Sequence, residues 1–232
     1  MIPSPTLLSI LFMIITCLAS LIFCKATKNS LITLVIISFW TAFQAAIAIL
    51  DFYKVTYTAP PRQLLLVLPP LLFIIAMFFT TKGRTFIDSL DLKTLTILHT
   101  IRIGVEIVLY FLFIYKLVPQ IMTFEGRNFD ILAGLTAPVV YYFGFIKNRL
   151  NRIVILIWNF LCLGLLLNIV VIAMLSVPFP LQQFAFEQPN IGVLSFPYNW
   201  LPSVVVPIVL FAHLASIRQI LMMGKLKTET IS

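Results

Sequence analysis

The chain has 232 residues, of which 61% are hydrophobic and only 10% charged, with a formal net charge of +8 and a mean hydropathy of +1.07. These values exclude an ordinary soluble globular domain and place the chain among polytopic membrane proteins. In hydrocarbon only helices and closed barrels satisfy the backbone, and the apolar runs here lack the alternation of barrel strands, so the expectation is an all-α fold forming one transmembrane domain over 1–232.

Taken in order, Met1 to Thr6 carries no Lys or Arg, and no small-residue cleavage site closes the first apolar run, so that run reads as a retained span rather than a removable leader. Spans are expected at Leu7–Phe23, Leu31–Leu50, Leu64–Phe79, Leu95–Leu117, Ile131–Ile146, Ile153–Leu175 and Leu201–Met222, seven in all, each near the roughly 20 residues that a bilayer requires. The first, third and fifth loops and the tail hold Lys25, Lys28, Lys82, Arg84, Lys93, Lys147, Arg149, Arg152, Arg218, Lys225 and Lys227, against Lys54, Arg62, Lys116 and Arg127 on the other side. That asymmetry puts the N-terminus outside and the C-terminus in the cytoplasm. The positive charge is therefore topological, and nucleic acid is not an expected partner; the lipid bilayer of a plasma membrane, bacterial inner membrane in type, is.

Cys17, Cys24 and Cys162 lie in or at the ends of spans, an odd set with no disulfide framework and no paired metal spacing, so they read as packing residues and no metal is expected. The outer segments Asp51 to Gln63 and Ser176 to Trp200 are rich in proline and aromatic residues, as expected where rings settle at the interface. Interior prolines Pro69, Pro70, Pro138 and Pro207 should bend their helices. Gln44 and Asn168 read as polar glue between helices, and Ala133, Gly134 and Ala137 as a small-residue face for close helix approach. Phe23 to Leu34 aligns without gaps to Phe145 to Leu156, and the third and seventh spans each carry an interior proline, which suggests a 3+1+3 plan of parallel repeats around a singleton fourth helix.

The fourth span is the unusual one. At 100° per residue His99, Arg102, Glu106, Tyr110 and Phe113 share an arc of about 80°, so an otherwise apolar helix carries one polar stripe. Arg102 and Glu106 stand at the spacing of an intrahelical ion pair. Two charges add on the order of 6 kcal/mol to insertion, and about ten apolar neighbours return roughly 3 to 6, so the helix inserts. Ionisable residues in hydrocarbon mark a wet cavity or a bundle interior, which makes this stripe the expected site. His213, in the seventh span at a similar depth, is the only other histidine. The two histidines admit an axial haem pair or, for His99 with Glu106, a proton relay; neither is strong enough to assign a cofactor, and none is expected. Beyond the stripe, Glu125, Arg127 and Asp130 fall in the outer loop before the fifth span, where Asn128 or Asp130 suits a helix cap and Glu125 and Arg127 suit contact with a solute.

The expected function is binding, and transport, of a small polar or anionic solute at the fourth helix. Arg102 would meet the anion, Glu106 would hold a proton and His99 would relay it. A membrane-embedded enzyme using Glu106 and His99 as acid and base is an alternative, but no nucleophile or metal motif accompanies it. A structural or assembly subunit whose stripe is covered by a partner protein is the third class.

Overall fold

Apolar side chains leave the backbone no polar neighbour but itself, so long apolar runs close their hydrogen bonds locally as helices. The computed structural model describes residues 4–58 and 60–229. It is 73% helical and, among the described residues, has no strand. Met1 to Pro3 and the side chains of Lys225 and Lys227, used above in reading the leader and the charge asymmetry, lie outside the described residues.

Helix α1 (Pro5–Ala26) starts where Ser4 accepts a hydrogen bond from the Leu7 N–H and Pro5 supplies the preset φ of a first turn. It ends in a tight reversal with Lys28 and Asn29 at positive φ, and Ser30 caps α2 (Leu31–Ile49). Helix α3 (Leu64–Phe79) meets α4 (Thr81–Ser89) at 94°. This elbow needs Gly83, because a Cβ there would lie 2.1 Å from the Met77 carbonyl oxygen. Helices α5 (Leu92–Leu98) and α6 (Ile101–Ile114) follow. Then come α7 (Ile131–Tyr141), continuing as a widened turn over Tyr142–Ile146, and α8 (Arg152–Leu175). A second widened turn, Leu201–Val205, leads into α9 (Val206–Glu229).

The prolines do more than bend helices. Pro69 and Pro207 have no N–H to offer the carbonyls four residues earlier, Leu65 and Ser203. Those carbonyls instead accept from two side chains of α2, Gln44 Nε2 at 3.3 Å and Trp40 Nε1 at 2.8 Å. Gln44 also accepts from the Tyr53 hydroxyl at 2.5 Å and its backbone carbonyl accepts from Asn199 Nδ2 at 3.0 Å. Helix α2, most of whose residues face outward, is thus fastened to the bundle by polar glue at proline breaks.

Among the described residues, five helical stretches are long and apolar enough to cross a membrane: Pro5–Ala26, Leu31–Ile49, Leu92–Ile114, Arg152–Leu175 and Leu201–Met223. The bent α3–α4 pair, a broken span or a re-entrant loop, makes a sixth only if it counts as one span, and Ile131–Ile146 is apolar but shorter, so the structure offers five or six candidates where seven were expected. The distribution of polarity is inverted with respect to a soluble protein: Ile14, Phe39, Leu72 and Leu161 are exposed while Gln44, His99, Arg102, Glu106, Asn159 and His213 are buried. Helix α5 sits in the middle, packed against α1, α7 and α9, and α6 continues from it against α1 and α7.

The single helix expected over Leu95–Leu117 is two. Residues His99 and Thr100 form a tight turn in which Arg102 and Ile103 donate three residues back, to the His99 and Thr100 carbonyls. In the two loops of the suggested repeat, Ser30 and Asn151 each cap the following helix, but the caps fall one position apart in the alignment.

Candidate functional site

The site grows from the close approach of α7 to the start of α6. Gly134 has no Cβ, and one built there would lie 2.9 Å from the Ile103 backbone nitrogen and 3.4 Å from Arg102 Cβ. Ala133 and Ala137 are fully buried on the same helix. This small face lets α7 lie against α6, and one turn before Gly134 it delivers Asp130 to Arg102. Arg102 Nε donates to Asp130 Oδ2 at 2.6 Å, and Nη2 pairs with Oδ1, so the pair is bidentate. The intrahelical Arg102 and Glu106 pair read from the i, i+4 spacing is therefore replaced by a pair between helices. The fork of a guanidinium matches a carboxylate that approaches end on, which the Gly134 contact arranges.

Arg102 then fixes the rest of the network. Its Nη1 lies 3.0 Å from His213 Nε2. Arginine only donates, so Nε2 accepts and the proton of the ring sits on Nδ1. Nδ1–H in turn donates to Asn159 Oδ1 at 3.0 Å, and Asn159 Nδ2 donates to the Ile155 carbonyl at 2.9 Å. Arg102 Nη2 also donates to the Cys162 carbonyl at 3.3 Å. One charged side chain thus joins α6, α7, α8 and α9.

His99 lies at the turn between α5 and α6 and stacks on His213 with ring centroids 3.8 Å apart and planes at 14°. Its edge contacts Trp158 at 5.6 Å. It is fully buried, and among the described residues neither ring nitrogen has a hydrogen-bond partner. Two imidazoles stacked face to face leave no room for an iron between them, so the axial haem pair considered from sequence does not fit. Among the described residues no group of three or more His, Cys, Asp or Glu side chains is placed to hold a metal ion.

Glu106, one turn along α6 from Arg102, is buried and held by an amide. Asn128 Nδ2 donates to its two carboxylate oxygens at 2.6 and 2.7 Å and to the Met122 carbonyl at 2.9 Å. Asn128 Oδ1 accepts from the Asp130 N–H at 3.0 Å, a turn just before α7; Asp130 is the N-cap residue, but its side chain is spent on Arg102, so α7 starts without the side-chain cap expected at Asn128 or Asp130. The loop that positions Asn128 turns at Gly126, where a Cβ would lie 2.3 Å from the Gln120 carbonyl oxygen.

Of the residues singled out in the sequence, His99, Arg102, Asp130 and His213 are brought together, and Glu106 joins them through Asn128 and Asp130. Tyr110 stacks on Phe124 at 5.1 Å. Glu125 and Arg127 are exposed on the loop, where the Arg127 carbonyl accepts from Asn168 Nδ2 at 2.9 Å. These three lie outside the buried network. The segment 176–200 folds onto the end of α6: Gln188 Nε2 donates to the Phe113 and Val118 carbonyls, and the Ile191 and Gly192 N–H groups to the Leu117 carbonyl. Asn159 is not among the residues singled out from sequence, although an amide in the apolar run of α8, like Asn168 nine residues later, is the signal that marks it. Cys17, Cys24 and Cys162 form no disulfide.

Residues 59–221 match the model of a family described as Domain of unknown function (DUF8737). The match takes in every side chain of the buried network and omits α1 and α2. No curated protein and no solved structure matches the chain.

Proposed function

The chain belongs to the DUF8737 family, and we propose that it is a seven-span plasma-membrane protein, N-terminus outside, that binds and moves a small polar solute beside His99. In this reading the bent α3–α4 pair is the third span and the shorter Ile131–Ile146 the fifth, which brings the total to seven. The observation that carries the proposal is His99 itself: a buried imidazole with two unmet nitrogens forfeits on the order of 1 to 3 kcal/mol for each group, unless something polar visits it. The donors of Arg102 are directed at protein acceptors, which favours a neutral polar solute over an anion and gives Arg102 the role of frame. Among the described residues the buried set holds one guanidinium and two carboxylates, so it is neutral only with one added proton. That supports Glu106 as the group that exchanges a proton during movement.

Native mass spectrometry of the protein released from mild detergent tests this. The wild type should retain a non-lipid adduct that His99→Phe loses, the phenyl ring keeping the contacts with Trp158 and His213. Glu106→Gln should insert normally and abolish movement of that solute. A chain that carries no such adduct refutes solute binding. The engagement of Arg102 with three partners, Asp130, His213 and the Cys162 carbonyl, favours one second reading, an assembly subunit locked by its polar core, which a stoichiometric co-purifying protein would support.

A further inference from the structure

We propose that the cleft between α2 and the α3–α4 elbow binds one anionic phospholipid of the cytoplasmic leaflet, an acyl chain in the cleft and the phosphate at its basic mouth. The inference rests on the membrane orientation proposed above. The cleft has a volume of about 750 Å³, within the range of small-molecule sites. Its floor is Ile74, Ile208 and Phe211 and its wall Ile36 and Phe39, so it offers almost nothing but hydrocarbon.

Length decides what kind of occupant fits. On α2 the lining runs from Ser30 to Trp40, and on α3 from Pro69 to Thr80. At 1.5 Å per residue both runs are about 15 Å, one half of a hydrocarbon core about 30 Å thick. A partner's transmembrane helix would need a groove through both leaflets, whereas a lipid needs one.

Charge decides the headgroup. At the mouth Lys82 lines the cleft beside Thr80 and Thr33, and Arg84 is exposed on the same short helix. The mouth lies where α2 and α4 both begin, and neither helix has an acidic residue in its first turn, so their dipoles add to the basic side chains without opposition. The 94° elbow turns α4 away from the span axis, with Ile87 buried beneath it and Lys82 and Arg84 outward at headgroup level. The far end is apolar because the Ser203 carbonyl is already taken by Trp40.

The test adds phosphatidylglycerol and phosphatidylcholine with identical chains, at equal concentration, to the purified full chain and reads lipid adducts by native mass spectrometry. The wild type should retain phosphatidylglycerol preferentially. Lys82→Gln should cut that preference about fivefold, the factor one basic side chain contributes at an anionic surface, and leave phosphatidylcholine unchanged. Ile36→Trp, at a half-exposed position outside the packed core, should fill the cleft and lower retention of both lipids. Equal retention by the wild type, a preference that survives Lys82→Gln, or no effect of Ile36→Trp overturns the site. Alkaline carbonate extraction separates the two readings. A chain released by carbonate refutes the spans and the lipid site together, while a chain that resists extraction and shows no preference refutes the lipid site alone.

Discussion

Replacing Asp130 by Asn removes the negative charge that faces Arg102 while keeping the shape of the side chain. Both partners are almost completely buried, at 2% and 5% exposure, so water cannot replace the lost charge. The amide oxygen can still accept from Arg102 Nε, but the amide N–H₂ then faces Nη2, donor against donor. Breaking a buried pair by removing one partner costs about 3 to 5 kcal/mol, most of it the guanidinium left unbalanced. At about 2 to 4 °C per kcal/mol for a chain of this length, Asp130→Asn should unfold about 6 to 20 °C below the wild type, read by circular dichroism in detergent. The cycle with Arg102→Met separates pairing from packing. If the two act as a pair, the double variant is more stable than the sum of the single losses implies, by well over the roughly 0.5 kcal/mol of independent sites. It does not return to wild type, because His213 Nε2 and the Cys162 carbonyl lose their donor. A midpoint within about 2 °C of wild type for Asp130→Asn, or an additive cycle, would refute the assignment.

Asn128→Ala leaves the Glu106 carboxylate and the Met122 carbonyl without their shared donor, and a loss of about 1.5 to 3 kcal/mol is expected in the same melting assay. Gly83→Ala puts a Cβ against the Met77 carbonyl, an atom of the backbone that cannot swing aside; about 3 kcal/mol or more should be lost, and an unchanged midpoint would show that the elbow opens freely. Burial pushes the Tyr53 phenol up to about 12. The folded state therefore holds its proton above the pH at which an unfolded tyrosine ionises, so this contribution to stability is intact below about pH 10 and is lost as pH rises through about 12. In an alkaline absorbance titration, Tyr53→Phe should remove the amplitude near that pH.

The expected class, an all-helical chain with several membrane-length apolar helices, follows from one-dimensional properties. Backbone satisfaction in apolar surroundings and the capping chemistry of Ser4, Ser30 and Asn151 act within a few residues, so composition and periodicity carry them. The polar stripe of His99, Arg102 and Glu106 was equally legible, because three ionisable residues in an apolar run stand out by type alone. Helical geometry also put Arg102 and Glu106 within reach of one another, which is where local reasoning ends.

Whether a buried cation takes the neighbour on its own helix or one on another depends on which carboxylate arrives with the better geometry. That was decided by Gly134, which brings Asp130 to Arg102 from 28 residues away, and by α9, which brings His213 from 111 away. The turn at His99 and Thr100 has no proline or glycine to announce it. Packing against α1, α7 and α9 surrounds the break, a tertiary setting that local propensity does not encode. Sequence alone determined what must be buried, since hydropathy is summed residue by residue. Only the tertiary structure decided what each buried group meets, since a hydrogen bond needs two partners and the chain sets their separation in space, not their separation in number.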